Sequence, residues 1–426
     1  VATASALRVL GAVLGGLIVA AVWSNVASTL VIPRGRVGFI RLVDSAVDRL
    51  YRLAGKPLRS YLRRDSLLAS QPVTTLGLLL VAWIAAFIVG YGLLLWPAEP
   101  SLPSALREAG SSLFTLGFAA RAAAEPTVVD FAAAASGLVV VALQIAYLPT
   151  LYAAYNRRET EVTLLTPRAG LPAWGPEILA RARLAGDVEG LTRIYTDWER
   201  WSADVAESHS SYPSLLRFRS PSPHSSWVVS QLAVLDAAAL HLAACPDTAP
   251  FAARVCLQGG FSCLRNLART VNIAVSDDPR PDDPIQLSYG DFLEGWQRIV
   301  ELGFPVERSA EEAWRHFRGW RVNYETVAYR LAAALDAVPA RWSGPRRRAE
   351  DPLVPRRLLN RTPDDPDGHR QPVPNAGTAP SVPPASAAAA VPAPPLAGDD
   401  QGSVTDPAGR LDPDRPEQRP PGLDGA

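Results

Sequence analysis

Three uncharged apolar runs dominate the first 155 residues: Val9 to Pro33, Val73 to Trp96 and Phe131 to Tyr155. Crossing the hydrocarbon core of a bilayer takes about 20 apolar residues in a helix. Each run is long enough, so each predicts a transmembrane helix. Trp23, Trp96, Tyr152 and Tyr155 lie near the ends of the runs, where amphipathic rings favour the membrane interface. The first run also fits a signal peptide with a weak cleavage pattern at Val26-Ala27-Ser28. Between the first two runs Phe39, Val43, Ala46, Val47 and Leu50 recur at helical spacing, and Arg41, Arg49 and Arg52 fall off that stripe. An amphipathic helix follows from this pattern, either lying on the inner leaflet or packed on the C-terminal half.

From Glu159 to Trp342 the apolar period is near 3.6. Leu191, Ile194, Tyr195, Trp198 and Val205 form one stripe. Ser309 with Glu312 is a capping-box signal ahead of Trp314, Phe317, Tyr324, Val327 and Leu331. No alternating run predicts a sheet. Residues 343–426 hold 18 of the 39 prolines and an alanine tract at 387–390, a composition that predicts a disordered tail. At its start Arg346-Arg347-Arg348 reads as a solvated charge run, with contact to anionic lipid as the alternative.

Charge sets the orientation. Residues 34–64 carry nine basic residues against Asp44 and Asp48. Cytoplasmic loops are enriched in Lys and Arg, so this stretch is expected inside. Arg157 and Arg158, directly after the third run, agree with it. The topology is then N-terminus out, 34–72 in, 97–130 out and everything after 156 in. Expected segments are an N-terminal transmembrane helix (1–33), a basic linker (34–72), a pore domain (73–156), a helical cytoplasmic domain (157–342) and the tail.

The external loop 97–130 is long for a link between antiparallel spans. Ser101 to Phe114 can form a short helix with Pro103 in its first turn. Thr115-Leu116-Gly117-Phe118 follows, and glycine there implies backbone that leaves the α-region. A span, a short helix, a glycine turn and a second span describe a re-entrant pore loop or an ordinary surface loop. In the pore arrangement the negative C-terminal end of the short helix would favour a cation.

Elsewhere the chemistry is sparse. Lys+Arg and Asp+Glu balance at 42 each, which gives no excess positive charge for nucleic acid. Cys245, Cys256 and Cys263 include no C-x-x-C and read as buried hydrophobes. His209 and His224 have only Glu207 as a nearby further ligand, too few for a metal site. No Ser/His/Asp or Cys/His spacing stands out, so no enzyme and no cofactor are expected.

Four stretches resemble a known family. They are Phe114-Thr115-Leu116-Gly117-Phe118; Tyr147-Leu148-Pro149 running into Asn156-Arg157-Arg158-Glu159; Trp198-Glu199-Arg200-Trp201 followed by Glu207 to Pro213; and Phe218-Arg219-Ser220 followed by Ser226-Trp227. In this order, over roughly residues 5–275, they resemble the bacterial potassium-channel-like family. The resemblance implies an all-α membrane protein with three transmembrane helices and a re-entrant pore loop, then a helical cytoplasmic domain. It implies a homo-tetramer in the cell membrane and a filter of Thr115, Leu116, Gly117, Phe118 and Ala119. A monovalent cation, potassium by analogy, would pass through it. Gly137 and Pro149 would be hinge or kink positions of the inner helix. The chain departs from the family's T-x-G-[aromatic/Leu]-G-D pattern: Ala119 stands for the second glycine and Ala120 for the acid. Arg121 would form a cationic ring at the mouth, partly offset by Glu125 and Asp130. These departures predict weak or poorly selective conduction. They also keep open a non-conducting homologue serving as a scaffold or sensor.

Overall fold

The computed structural model describes residues 2–30, 38–118, 127–276, 278–348 and 350–354, all within one compact unit. Thirteen α-helices occur among them. The first six are α1 (Ala2–Leu30), α2 (Gly38–Gly55), α3 (Tyr61–Ala69), α4 (Gln71–Leu95), α5 (Leu102–Leu113) and α6 (Thr127–Ala169). The rest are α7 (Gly175–Leu184), α8 (Leu191–Ser211), α9 (Trp227–Ala244), α10 (Phe251–Thr270), α11 (Tyr289–Glu301), α12 (Ala310–Arg321) and α13 (Glu325–Ala334). The described residues contain no strand, only an isolated parallel bridge between Ala340 and Leu353.

Four helical segments are long and apolar enough to cross a membrane, one more than the sequence pattern predicted. The fourth is α9, and 94% of its apolar window is buried within the protein. A helix apolar on every side is either a membrane span or the centre of a core. Here α9 packs against α7, α8, α10, α12 and α13, which surround it. Asp236 and His241 interrupt its apolar sequence, so it does not read as an uncharged run.

The other three segments pack together through small residues. Arg8 of α1 donates to the carbonyls of Glu99 and Pro100 at 3.2 and 3.0 Å, and Trp83 of α4 donates to Asn25 Oδ1 at 2.7 Å. The two helices are therefore antiparallel. A Cβ on Gly15 would lie 2.5 Å from the Gly90 carbonyl, so glycine permits their close approach. At 43 residues α6 is about 65 Å long, roughly twice a hydrocarbon core of about 30 Å. It therefore carries the chain from the apolar bundle into the helical domain. Pro149 and Pro167 lie inside α6, and Pro149 is exposed.

Gly137 sits in α6 directly beneath the end of α5. A Cβ there would lie 2.0 Å from the Leu113 carbonyl oxygen, a backbone atom that cannot swing aside. Close packing thus accounts for this glycine. Intrinsic helix propensity alone would make Gly137→Ala about 1 kcal/mol more stable. The expected outcome is the reverse, a loss of about 1–3 kcal/mol by overpacking, read as a lower Tm in detergent.

The basic segment is fastened to both halves. On α2, Val47 and Tyr51 are buried against α4, and the Tyr51 hydroxyl bonds Ser70 at 3.0 Å and Thr74 at 2.6 Å. Leu42, Leu50 and Leu53 remain exposed. Arg217 reaches from the helical domain to Asp44 at 3.1 Å and Asp48 at 2.9 Å. Arg64 of α3 pairs with Asp336 at 3.0 Å and Glu350 at 2.7 Å. The arginine run at 346–348 is not simply solvated, as the sequence suggested. Arg346 is buried and donates to the carbonyls of Ala337, Val338, Ser343 and Gly344. Arg348 donates to those of Gly55, Lys56 and Leu58. Composition hides this, because the acceptors are main-chain oxygens that any sequence carries.

Candidate functional site

The short helix predicted over 101–114 is α5. Its N-cap is Ser101, whose Oγ accepts from the Ser104 amide at 3.4 Å, and Pro103 lies in the first turn. Ala105, Ala109 and Leu113 are buried. They place α5 against both α4 and α6, with Leu106 over Gly92 and Leu113 over Gly137. A 3-10 turn at Trp96–Ala98 redirects the chain from α4 toward it.

The C-terminal end of α5 is closed by two hydrogen bonds. The Thr115 amide donates to the Ser112 carbonyl at 2.9 Å, and the Leu116 amide to the Ser111 carbonyl at 2.8 Å. This pairing is a Schellman cap, and its left-handed residue is usually glycine. Here it is Thr115, at φ 56°. A left-handed residue with a Cβ costs about 1–2 kcal/mol, and such strain clusters at functional sites. The Thr115 hydroxyl donates to the Phe114 carbonyl at 2.7 Å. Gly117 is also left-handed, at φ 65°, in agreement with the turn expected there. Phe114, Leu116 and Phe118 are exposed, and the Arg107 guanidinium lies 5.4 Å from the Phe118 ring centre. Ala119, Ala120, Arg121 and Glu125 fall outside the described residues. Asp130 accepts a hydrogen bond from Ser112 at 3.1 Å, which ties the start of α6 to α5.

A second cluster lies where α6 enters the helical domain. Arg158 is fully buried. It donates to Glu159 Oε1 at 2.8 Å and to the carbonyls of Leu215 and Phe218 at 2.8 and 2.7 Å. Its Nη1 meets His209 Nε2 at 3.0 Å. The guanidinium also faces the rings of Tyr155 and Trp227. Its own carbonyl accepts from Trp201 Nε1 at 3.0 Å. One side chain therefore fastens the far end of α6 to α8, to the 213–218 turn and to α9. Comparison with protein-family models, curated proteins and solved structures finds no match.

Arginine can only donate, so His209 Nε2 is an acceptor and the proton sits on Nδ1, 3.0 Å from Ser208 Oγ. His209, weighed from sequence as a metal ligand, is thus engaged in this cluster, whereas His224 lies apart on the 220–226 loop. Burial, and then the adjacent Arg158 charge, hold the His209 imidazole well below its usual pKa. In the unfolded chain it binds a proton near pH 6.5. A depressed folded pKa means that its stabilising contribution is complete above about pH 6.5 and is lost as pH falls, at ~1.4 kcal/mol per unit. His209→Gln should remove one proton's worth of slope from the stability profile between about pH 6.5 and 5. Unfolding midpoints across that range check it, and an unchanged slope would show that His209 is not the group that titrates.

In the sequence Arg158 stands out only as one of the charges that follow a membrane-length apolar run. Apart from Glu159 next to it, the acceptors of its side chain lie 51 to 60 residues away, and no local pattern announces them. The polar contacts inside the apolar bundle were equally hidden. Ser136 Oγ lies 2.6 Å from the Tyr91 hydroxyl and 3.2 Å from Trp23 Nε1. A serine in an apolar run was the available signal, since polar groups in such a setting seek partners.

Proposed function

We propose that the chain is one subunit of a fourfold membrane pore that passes monovalent cations passively. The observation that carries this reading is α5. A capped helix of 12 residues packs on two membrane-length helices and ends in a strained turn at Thr115 and Gly117. In a fourfold assembly the backbone carbonyls from Thr115 to Phe118 would take the place of an ion's hydration shell. The N-terminus of α1 and the 97–130 loop would be external. Residues 34–64 and everything after 156 would face the cytoplasm, as the arginine asymmetry requires.

One chain offers a single such turn, which cannot enclose an axis, and closed cyclic symmetry is the usual way identical chains do so. Native mass measurement of the full chain in nanodiscs is expected to give four copies. A stable monomer or dimer would remove the central pore. A second reading, a non-conducting scaffold or sensor, is favoured by Ala119-Ala120-Arg121 in the sequence. Cation flux from reconstituted liposomes separates the two.

A further inference from the structure

A cavity of about 320 Å³ opens between α2, α3, the 216–227 segment and the end of α13. Its volume lies at the small end of the range for ligand pockets. The apolar part of its wall comprises Tyr51, Leu67, Leu68, Phe218 and Trp227. The charged part is mostly basic. Lys56 and Arg347 are exposed and have no side-chain partner among the described residues. Arg348 meets only carbonyl oxygens, so its charge is not neutralised by an acid. The acids on the wall are already engaged: Asp48 with Arg217 and Arg52, Asp336 with Arg64.

Two buried donors on the same wall lack acceptors. Arg64 is 5% exposed and gives Nε and Nη1 to Asp336, Glu350 and the Arg59 carbonyl. Its Nη2 has no hydrogen-bond partner, and neither has Ser220 Oγ. A buried donor left unpaired keeps its full desolvation penalty, a larger one when it is charged. The uncompensated charges of Lys56, Arg347 and Arg348 on this wall describe a site for a compact oxyanion, with the two unpaired donors buried behind it. Phosphate accepts several hydrogen bonds at once and matches guanidinium geometry.

We infer that this cavity holds the phosphate headgroup of an anionic phospholipid. The position favours a lipid over a free phosphate ester. The cavity lies where membrane-length α4 begins, beside α2, which exposes Leu42, Leu50 and Leu53. Exposed leucines beside basic side chains are the make-up of a helix lying in the membrane interface. The inference rests on the chain spanning a membrane, and it stands whether or not the chain conducts ions.

Titration calorimetry of the full-length protein in detergent tests it. The probes are dioctanoyl phosphatidic acid, dioctanoyl phosphatidylcholine and glycerol 3-phosphate. Phosphatidic acid is expected to bind saturably, and the other two at least about tenfold more weakly. Lys56→Ala with Arg347→Ala should weaken phosphatidic acid by roughly tenfold or more, because each basic group near a lipid surface contributes to attraction. Both side chains are exposed, so the variant keeps the fold. Leu68→Trp, which fills the cavity, should also abolish saturable binding. Equal binding of glycerol 3-phosphate would overturn the lipid as occupant. No saturable binding, or binding indifferent to these substitutions, would overturn the site.

Discussion

Arg158→Ala is expected to be among the most destabilising single substitutions in this chain, at about 3–5 kcal/mol. The guanidinium is fully buried and satisfies one carboxylate, one imidazole and two carbonyls. Removing it leaves Glu159, itself 5% exposed, as a buried charge without its partner. It also leaves the Leu215 and Phe218 carbonyls unpaired. Breaking a buried pair from one side is more damaging than replacing both partners, because the remaining group keeps its desolvation penalty. Arg158→Lys should rescue little, since an ammonium cannot span the same fork of acceptors. Thermal unfolding in detergent checks both variants. A Tm within a degree or two of the unmodified protein would mean that the cluster does not hold α6 to the helical domain. The same variant bears on the proposed pore. Arg158 is one of several ties between α6 and the helical domain, beside the Arg157–Asp204 ion pair and the Tyr155–Arg219 hydrogen bond, so its loss should loosen the coupling between the two.

On the proposed pore reading, substitutions at Ala119, Ala120 and Arg121 should have the largest effect on transport. A filter of the T-x-G-[aromatic/Leu]-G-D pattern uses its second glycine for backbone that other residues adopt poorly. A left-handed Cβ costs about 1–2 kcal/mol, so a filter that required this conformation at position 119 would carry roughly 4–8 kcal/mol over four independent copies. That is enough to deform a filter whose ion sites must be closely balanced. Ala119→Gly with Ala120→Asp should therefore raise potassium flux and its preference over sodium. Arg121→Ala should raise cation entry by electrostatics alone, most strongly at low salt, where screening is weakest. Potassium-over-sodium permeability ratios in liposomes at two ionic strengths check these expectations. Ratios unaltered by all three substitutions would show that these residues do not border an ion path.

Much of the helical architecture was legible because it follows from local rules. Apolar runs of about 20 residues gave α1, α4 and the first part of α6. Ser309 and Glu312 form the capping box at the start of α12 that their spacing announced. Leu191, Ile194, Tyr195, Trp198 and Val205 are all buried on α8. The short helix after Ser101 is present, and Gly117 has the positive φ that its place in the turn suggested.

What escaped were long-range polar contacts and the role of α9. An all-apolar helix carries no label saying whether lipid or protein surrounds it, and Asp236 made it look less like a span. Within the core, Asp236 is held by Arg321 at 2.7 Å and by the Tyr324 hydroxyl at 2.9 Å. Those partners lie 85 and 88 residues downstream. The amphipathic stripe of α2 was visible, but not its division. Val47 and Tyr51 face α4, whereas Leu50 and Leu53 face outward. A 3.6-residue period cannot tell which of two adjacent stripes is covered.

Liposomes reconstituted with the full-length chain test the proposed passive cation flux. Loaded with potassium and diluted into sodium, they should lose potassium slowly in the presence of the unmodified protein and faster with Ala119→Gly and Ala120→Asp together. Protein-free liposomes should retain it. Potassium retention equal to the protein-free control with both the unmodified chain and the double variant, in samples that contain the four-chain assembly, would contradict the pore.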